Sequence, residues 1–155
     1  RAAEYGARVA LVEGARLGRV HGEARLGYVQ GRNRSTDDNL YDMMPLHADF
    51  ALEQASGGWN GRIELEVARA KQDVSATRNE VATAGYGLLH LRGSYQWRAL
   101  RLEFGAENLF DRFYQLPLGG AYLGQGKTMS GTGVPWGLAM PGKGRNLYAS
   151  VTLAF

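Results

Sequence analysis

The residues with the most distinctive chemistry are Met43, Met44 and His47, two thioethers and an imidazole at the end of one polar segment. Soft sulfur and imidazole donors together suit copper, so the three form a candidate ligand-binding group. Methionines also serve as adaptable apolar filler, and the spacing alone leaves the metal unknown. Met129 and Met140 add thioethers further along. The three histidines, His21, His47 and His90, belong to different segments and different heights along them. A strand rise of roughly 3.3 Å per residue therefore argues against one shared metal site. Glu64 and Glu66 could suggest paired-carboxylate chemistry, but neither has a positioned partner. The absence of cysteine excludes disulfides, thiolate metal sites and a cysteine nucleophile. No nucleophile–base pair stands out, so neither an enzyme nor a cofactor is expected.

Composition narrows the class of chain that carries these groups. Eighteen Lys+Arg against 15 Asp+Glu give a net charge of +3, with the cations scattered rather than gathered on a face interleaved with aromatics. Nucleic acid is therefore not an expected partner. Twenty-two glycines and eight tyrosines against four prolines suit strands joined by turns. No apolar run approaches the ~18 residues of a membrane helix. A mean hydropathy of −0.31 is still compatible with a membrane barrel, whose strands alternate. The start at Arg1 has no initiator Met, basic segment or apolar leader, which fits a mature secreted start or an internal cut.

Period-two alternation recurs seven times and makes the chain all-β. Tyr5, Ala7, Val9 and Leu11 share the first apolar face. Val20, Gly22, Ala24, Leu26 and Tyr28 alternate with His21, Glu23, Arg25 and Gly27. Leu46, Ala48, Phe50 and Leu52 oppose His47, Asp49, Ala51 and Glu53. Ile63, Leu65 and Val67 face away from Glu64, Glu66 and Ala68. Leu89, Leu91, Gly93, Tyr95 and Trp97 oppose His90, Arg92, Ser94 and Gln96. Leu100, Leu102, Phe104 and Ala106 oppose Arg101, Glu103, Gly105 and Glu107. The last segment sets Leu147, Ala149, Val151, Leu153 and Phe155 against Tyr148, Ser150, Thr152 and Ala154.

Connection lengths alternate as strictly as the side chains. Short links at Gly14–Gly18, Ala55–Asn60 and Arg98–Ala99 interleave with long polar ones at Gly31–Met44, Lys71–Ala84 and Arg112–Gly144. Outer-membrane barrels have this pattern, with tight periplasmic turns and long external loops. Aromatics then fall near both rims, Tyr5, Tyr28, Tyr86 and Phe110 at the outer one and Trp59, Tyr95, Trp97 and Phe155 at the inner one, as interfacial girdles require. All three histidines and most strand charges point to a wet lumen. Seven strands do not close an even-numbered barrel, and open edges in lipid cost several kcal/mol per unsatisfied group. The chain is therefore expected to be part of a larger barrel.

The closing segments resemble the C-terminus of the TonB-dependent outer-membrane receptor family. Gly105-Ala106-Glu107-Asn108-Leu109-Phe110-Asp111-Arg112-Phe113-Tyr114 is similar to the family's G-x-x-N-L-F-D-x-x-Y. Pro141-Gly142-Lys143-Gly144-Arg145-Asn146-Leu147-Tyr148 follows, then a strand ending in Phe155. The Lys143-Gly144 pair departs from the usual Pro-Gly-Arg pattern. Thr83-Ala84-Gly85-Tyr86 resembles the family's Thr-Pro-Gly-Tyr, with Ala84 for Pro. Asn108 and Asp111 can bond nearby backbone where the strand leaves the membrane, and Leu109 and Phe110 would anchor that exit. Leu147, Ala149, Val151, Leu153 and Phe155 resemble the signal by which barrels are recognised for assembly. The run Tyr114-Gln115-Leu116-Pro117-Leu118-Gly119-Gly120 is similar to the copper-receptor branch.

The resemblance implies that residues 1–155 are the C-terminal portion of a barrel of about 22 strands with a plugged lumen, the plug domain and N-terminal strands lying outside them. It further implies uptake of a ferric siderophore or other metal chelate across the Gram-negative outer membrane. The partners it implies are the TonB complex (reached through the plug), outer-membrane lipid, the barrel-assembly machinery and the chelate itself. A copper-type receptor, a passive porin and a soluble β-sandwich binding module are the rival readings.

Overall fold

The computed structural model describes residues 2–14, 18–77, 80–118 and 139–154, with side chains from residue 18 onward. Nine strands are present among them: β1 (Ala2–Gly14), β2 (Gly18–Val29), β3 (Arg32–Asn33), β4 (Asp38–Asn39), β5 (His47–Ser56), β6 (Trp59–Ala68), β7 (Tyr86–Trp97), β8 (Leu100–Glu107) and β9 (Asn146–Leu153). Seven form one sheet in the order β1-β2-β5-β6-β7-β8-β9, each antiparallel to the next. The two short strands β3 and β4 make a separate hairpin inside the first long connection, where sequence periodicity showed only a polar segment. Two residues per strand are too few to carry an alternation signal.

Register follows the alternation at every step. Phe50 stands opposite Leu65, Leu52 opposite Ile63, Leu65 opposite Leu89 and Leu102 opposite Val151. On the reverse face Glu53 meets Arg62, Glu64 meets His90 and Glu103 meets Ser150. Tight turns pin these pairings. Gly57 and Gly58 take φ of 56° and 86° between the closing pair Ser56 and Trp59, the two left-handed residues of a mirror-image hairpin turn. Arg98 turns the next hairpin at φ 52°, its carbonyl accepting from Gln96 Nε2 at 2.7 Å and its guanidinium 5.6 Å from the Trp97 ring centre.

The distribution of exposure is inverted relative to a water-soluble sheet. Phe50 and Ile63 are each about half exposed, at 48% and 49%, and Leu147 is 68% exposed. On the opposite face the charges at the centre of the ion ladder are more covered, with Arg62 at 28% and Glu23 at 17%, while Arg101 beside the sheet's end is 52% exposed. Fully buried apolar residues are few. Ala48, Ala68, Tyr86 and Leu88 lie at the end of the sheet from which the long connections leave. At the short-turn end Trp59 and Trp97 project outward, and Trp59 packs on Tyr95 with ring centres 4.5 Å apart. Tyr86 stands at the height expected of a rim aromatic but on the polar face. Its hydroxyl donates to Glu66 Oε1 at 2.8 Å, and its ring packs on Tyr114 with centres 4.6 Å apart. Phe155 lies outside the described residues.

The two turn glycines should respond differently to substitution. A Cβ on Gly58 would lie 2.7 Å from the Gln96 carbonyl oxygen, whereas one on Gly57 meets nothing. Gly58→Ala should lower unfolding free energy by about 1–2 kcal/mol, and Gly57→Asn by no more than a few tenths, since Asn tolerates the left-handed region. Urea titration of the complete folded protein distinguishes them, and equal midpoints would contradict the turn geometry.

Candidate functional site

Chemistry-bearing side chains gather in two places, along the polar face and over the end of the sheet that bears the long connections. On the polar face Arg62 links three strands. It reaches Glu64 Oε1 at 2.7 Å, Glu53 Oε2 at 3.3 Å and Glu23 Oε2 at 3.6 Å. Arg92 pairs with Glu64 and, at 3.2 Å, with Glu107, and Arg101 pairs with Glu103 at 2.7 Å. The pairs form because strand neighbours present opposite charges on one face. A cavity of about 260 Å³ lies against this ladder, bounded by Arg25, Glu64, Glu66, His90 and Arg92 among others. Such a wall is polar and of mixed sign.

Over the long-connection end, Asn108 is the hub. It is 3% exposed with φ 48°, and each of its polar groups has a defined partner. Its amide donates to His90 Nδ1 at 3.2 Å. Its Nδ2 donates to the Arg112 and Lys143 carbonyls at 2.9 and 3.0 Å, and its Oδ1 accepts from the Arg112 amide at 2.9 Å. Asp111 Oδ1 accepts from the Arg145 amide at 2.8 Å. Tyr114 completes the clamp. Its carbonyl accepts from the Gly142 amide at 2.8 Å, and its ring occupies the space where a Gly142 Cβ would stand. Burial, then the Glu66 carboxylate, pushes the Tyr114 phenol above its usual value, opposed by the Lys143 main chain. The Asn-Leu-Phe-Asp block and the Pro-Gly segment, which lie far apart in sequence, are thus two halves of one device. Gln115 and Pro141 form an isolated bridge beside it.

A second cluster ties the connections to one another. Lys71, 2% exposed, donates to Glu80 Oε1 and to the Pro117 carbonyl at 3.0 Å. Glu80 also accepts from the amides of Ser75 at 2.8 Å and Asp42 at 3.0 Å. Asp38, on the β3–β4 hairpin, accepts from the Ser75 hydroxyl and from the amides of Ala76 and Thr77, each at 2.9 Å. Thr77, through its hydroxyl and amide, and Ala76 hold the Asp38 carboxyl well below the usual carboxylate range. Neither Lys71, Glu80 nor Asp38 carried a sequence signal, because contacts between irregular segments have no period.

The soft-donor group is only partly assembled. Met43 lines two cavities, one of about 180 Å³ with Tyr28, Arg69, Lys71 and Asp73, and one of about 400 Å³ under the β3–β4 hairpin. Met44 uses its carbonyl to accept from Val29 N at 3.3 Å. His47 shares Nδ1 with the Pro45 carbonyl at 3.0 Å, and its ring covers Gly27. His47 and Met44 line neither cavity. His21 contacts Glu23 at 3.4 Å, and His90 lies 3.9 Å from Glu66, so the structure keeps the three histidines apart. Among the described residues no cluster of three His, Cys, Asp or Glu could hold a metal ion. Leu147, Val151 and Leu153 are exposed on the apolar side of β9 and Phe110 is 75% exposed. Met129, Gly119 and Gly120 lie outside the described residues.

No family model matches the sequence, and no curated protein does. Among solved structures, one chain superposes on 99% of this one with a TM-score of 0.79 and 27% sequence identity. That chain is the copper transporter OprC. The likeness to OprC extends along the whole described sheet, while this chain spans 24% of the length of OprC. The similarity supports an all-β architecture of antiparallel strands.

Two measurements follow from this geometry. Asn108→Ala leaves the Lys143 carbonyl and the Arg112 amide without partners and puts alanine at positive φ. It should cost about 2–4 kcal/mol, whereas Asp111→Gly, which loses one exposed bond and suits that residue's own φ of 52°, should cost about 1 kcal/mol or less; equal shifts in urea midpoint would contradict the hub. For Asp38 the folded-state value is depressed, so its contribution is complete above the ordinary carboxylate value near ~4 and disappears as pH falls towards the folded one. Asp38→Asn should accelerate amide exchange at Ala76 and Thr77 at pH 7, with the difference from the parent shrinking below about pH 3. A difference independent of pH would contradict the hydrogen-bonded carboxylate.

Proposed function

We propose that the chain forms seven adjacent strands at the C-terminal side of an outer-membrane TonB-dependent receptor that takes up a metal, with copper or a copper complex as the favoured cargo. The observation that carries this reading is the inverted sheet, with large aliphatic and aromatic side chains outward and paired charges inward, in a chain 27% identical to the copper transporter OprC. In hydrocarbon each outward side chain gains about 25 cal/mol per Å² relative to water, and the inward charges keep their ion pairs in a wet lumen. The sheet order runs from β1 to β9 with no pairing between them among the described residues. Closure therefore calls for further strands, and energy coupling calls for a plug outside this chain. Copper gains support from the OprC likeness and from the Met43 thioether at the loop-end cavities. A ferric chelate is the competing cargo from the same family resemblance.

A strain carrying the complete coding sequence should accumulate more copper than its deletion strain at limiting external copper, and the gain should vanish without TonB. Uptake of a ferric chelate instead of copper would overturn the cargo, and uptake that survives loss of TonB would point to a passive porin. The faces have a separate test. Ile63, opposite Leu52 and Leu91, is near mid-height, so Ile63→Arg should cost about 2–4 kcal/mol in lipid refolding. Ser94→Arg, on the polar face beside Glu103, should cost less than about 1 kcal/mol. Equal costs would reject the lipid-facing assignment.

A further inference from the structure

Cations outside ion pairs occur along the sheet, Arg19, Arg25, Arg69 and Arg98 among the described residues. Arg62, Arg92 and Arg101, on the polar face, are paired with carboxylates. Arg112, Lys143 and Arg145 are exposed and form no ion pair among the described residues. These three are not scattered. Asn108 bonds both main-chain groups of Arg112 and the carbonyl of Lys143, and Asp111 holds the amide of Arg145. Two segments more than thirty positions apart are thereby fixed side by side, each presenting basic side chains. Asp111 turns one carboxylate oxygen onto the Arg145 amide, and the patch keeps a net positive charge.

The setting of this patch identifies what it would bind. Phe110 and Phe113 are 75% and 76% exposed, an unusual state for two phenylalanines within four positions of a structured turn. The patch crowns β8 and β9 where Ala106 pairs with Leu147, directly above an apolar strip that continues through Phe104, Val151 and Leu153. Aromatic rings and cations at the head of an apolar wall are the arrangement that meets an acyl chain below and a charged headgroup above. Arginine matches phosphate by planar, two-pronged hydrogen bonding, and lysine adds a point charge.

We propose that Arg112, Lys143 and Arg145, with Phe110 and Phe113, form a docking site for the phosphorylated headgroup and upper acyl chains of an outer-leaflet membrane lipid. The proposal rests on the membrane-barrel reading above. Because Asn108 and Asp111 hold main-chain atoms, the basic side chains can be replaced without dismantling the clamp.

The test uses the complete protein, purified in non-ionic detergent and titrated with a bis-phosphorylated, acylated glucosamine disaccharide, with bound lipid counted by native mass spectrometry. Arg112→Gln/Lys143→Gln/Arg145→Gln should weaken binding roughly 100-fold, at about fivefold per cation. The dephosphorylated lipid should bind the parent protein as weakly. Phe110→Ser/Phe113→Ser should also weaken binding while leaving every charge in place. Arg19→Gln/Arg98→Gln, at the opposite rim, should leave it unchanged. Heat-modifiable migration in electrophoresis verifies that each variant is folded; Arg112→Glu replaces the triple variant if that one fails. Equal lipid binding by parent and variant overturns the inference, as does full competition by millimolar inorganic phosphate, which would mark a free-anion site. A protein that stays folded and monodisperse without detergent removes the barrel reading itself, an outcome separate from the other two.

Discussion

Because side chains alternate across a strand, a slip of one residue between any two neighbours would carry Ile63 and Leu65 among the glutamates and send Arg62 and Glu64 to the apolar side. Each hairpin therefore has to be locked, and the chain locks them locally. Gly57 and Gly58 supply the left-handed turn between β5 and β6, and Arg98 accepts an unfavourable φ that its contacts with Gln96 and Trp97 offset. Once these turns fix the register, the ion ladder and the apolar wall follow without further instruction. Arg62 reaches Glu23, Glu53 and Glu64 only because β2, β5 and β6 are aligned to within a single residue.

The two ends of the sheet solve different problems. At the short-turn end, compact links and outward-facing Trp59 and Trp97 finish the sheet with little additional structure. At the other end, long segments must satisfy their own backbone groups away from regular ladders. They do so with buried polar hubs, Asn108 for the last connection and the Lys71–Glu80 pair for the earlier ones. The sites with chemical potential therefore lie at that end, where irregular backbone, cavities and exposed basic side chains coincide.

Legibility in the sequence followed the physics of periodicity. The seven sheet strands could be read because each repeats one apolar and one polar position several times over. Phe50, Leu52, Ile63 and Leu65 all stand on the face that alternation assigned them. The Asn108–Asp111 block could be singled out by family resemblance, and its role as a main-chain clamp on the Pro-Gly segment required three-dimensional proximity. Tyr86 stands at the rim height expected of it, and its place in the alternation with His90 and Arg92 puts its ring on the polar face. The β3–β4 hairpin, the buried Lys71 and the Asp38 contacts were not legible, since they are single events between segments with no repeat. The dispersal of Met43, Met44 and His47 could not be read either, because nearness in a loop does not determine where side chains turn.

The buried Lys71 ties the long connections together. Its ammonium joins Glu80 and the Pro117 carbonyl, and the same carboxylate restrains Ser75 and Asp42. Parting Lys71 from Glu80 would strand a charge in a nearly dry environment, at a cost that a surface pair never incurs, whereas losing Ser75, Asp42 or Pro117 removes one hydrogen bond from that pair. The long connections are thus bound to one another through a single shared ion pair, so a change in one of them is felt by the rest.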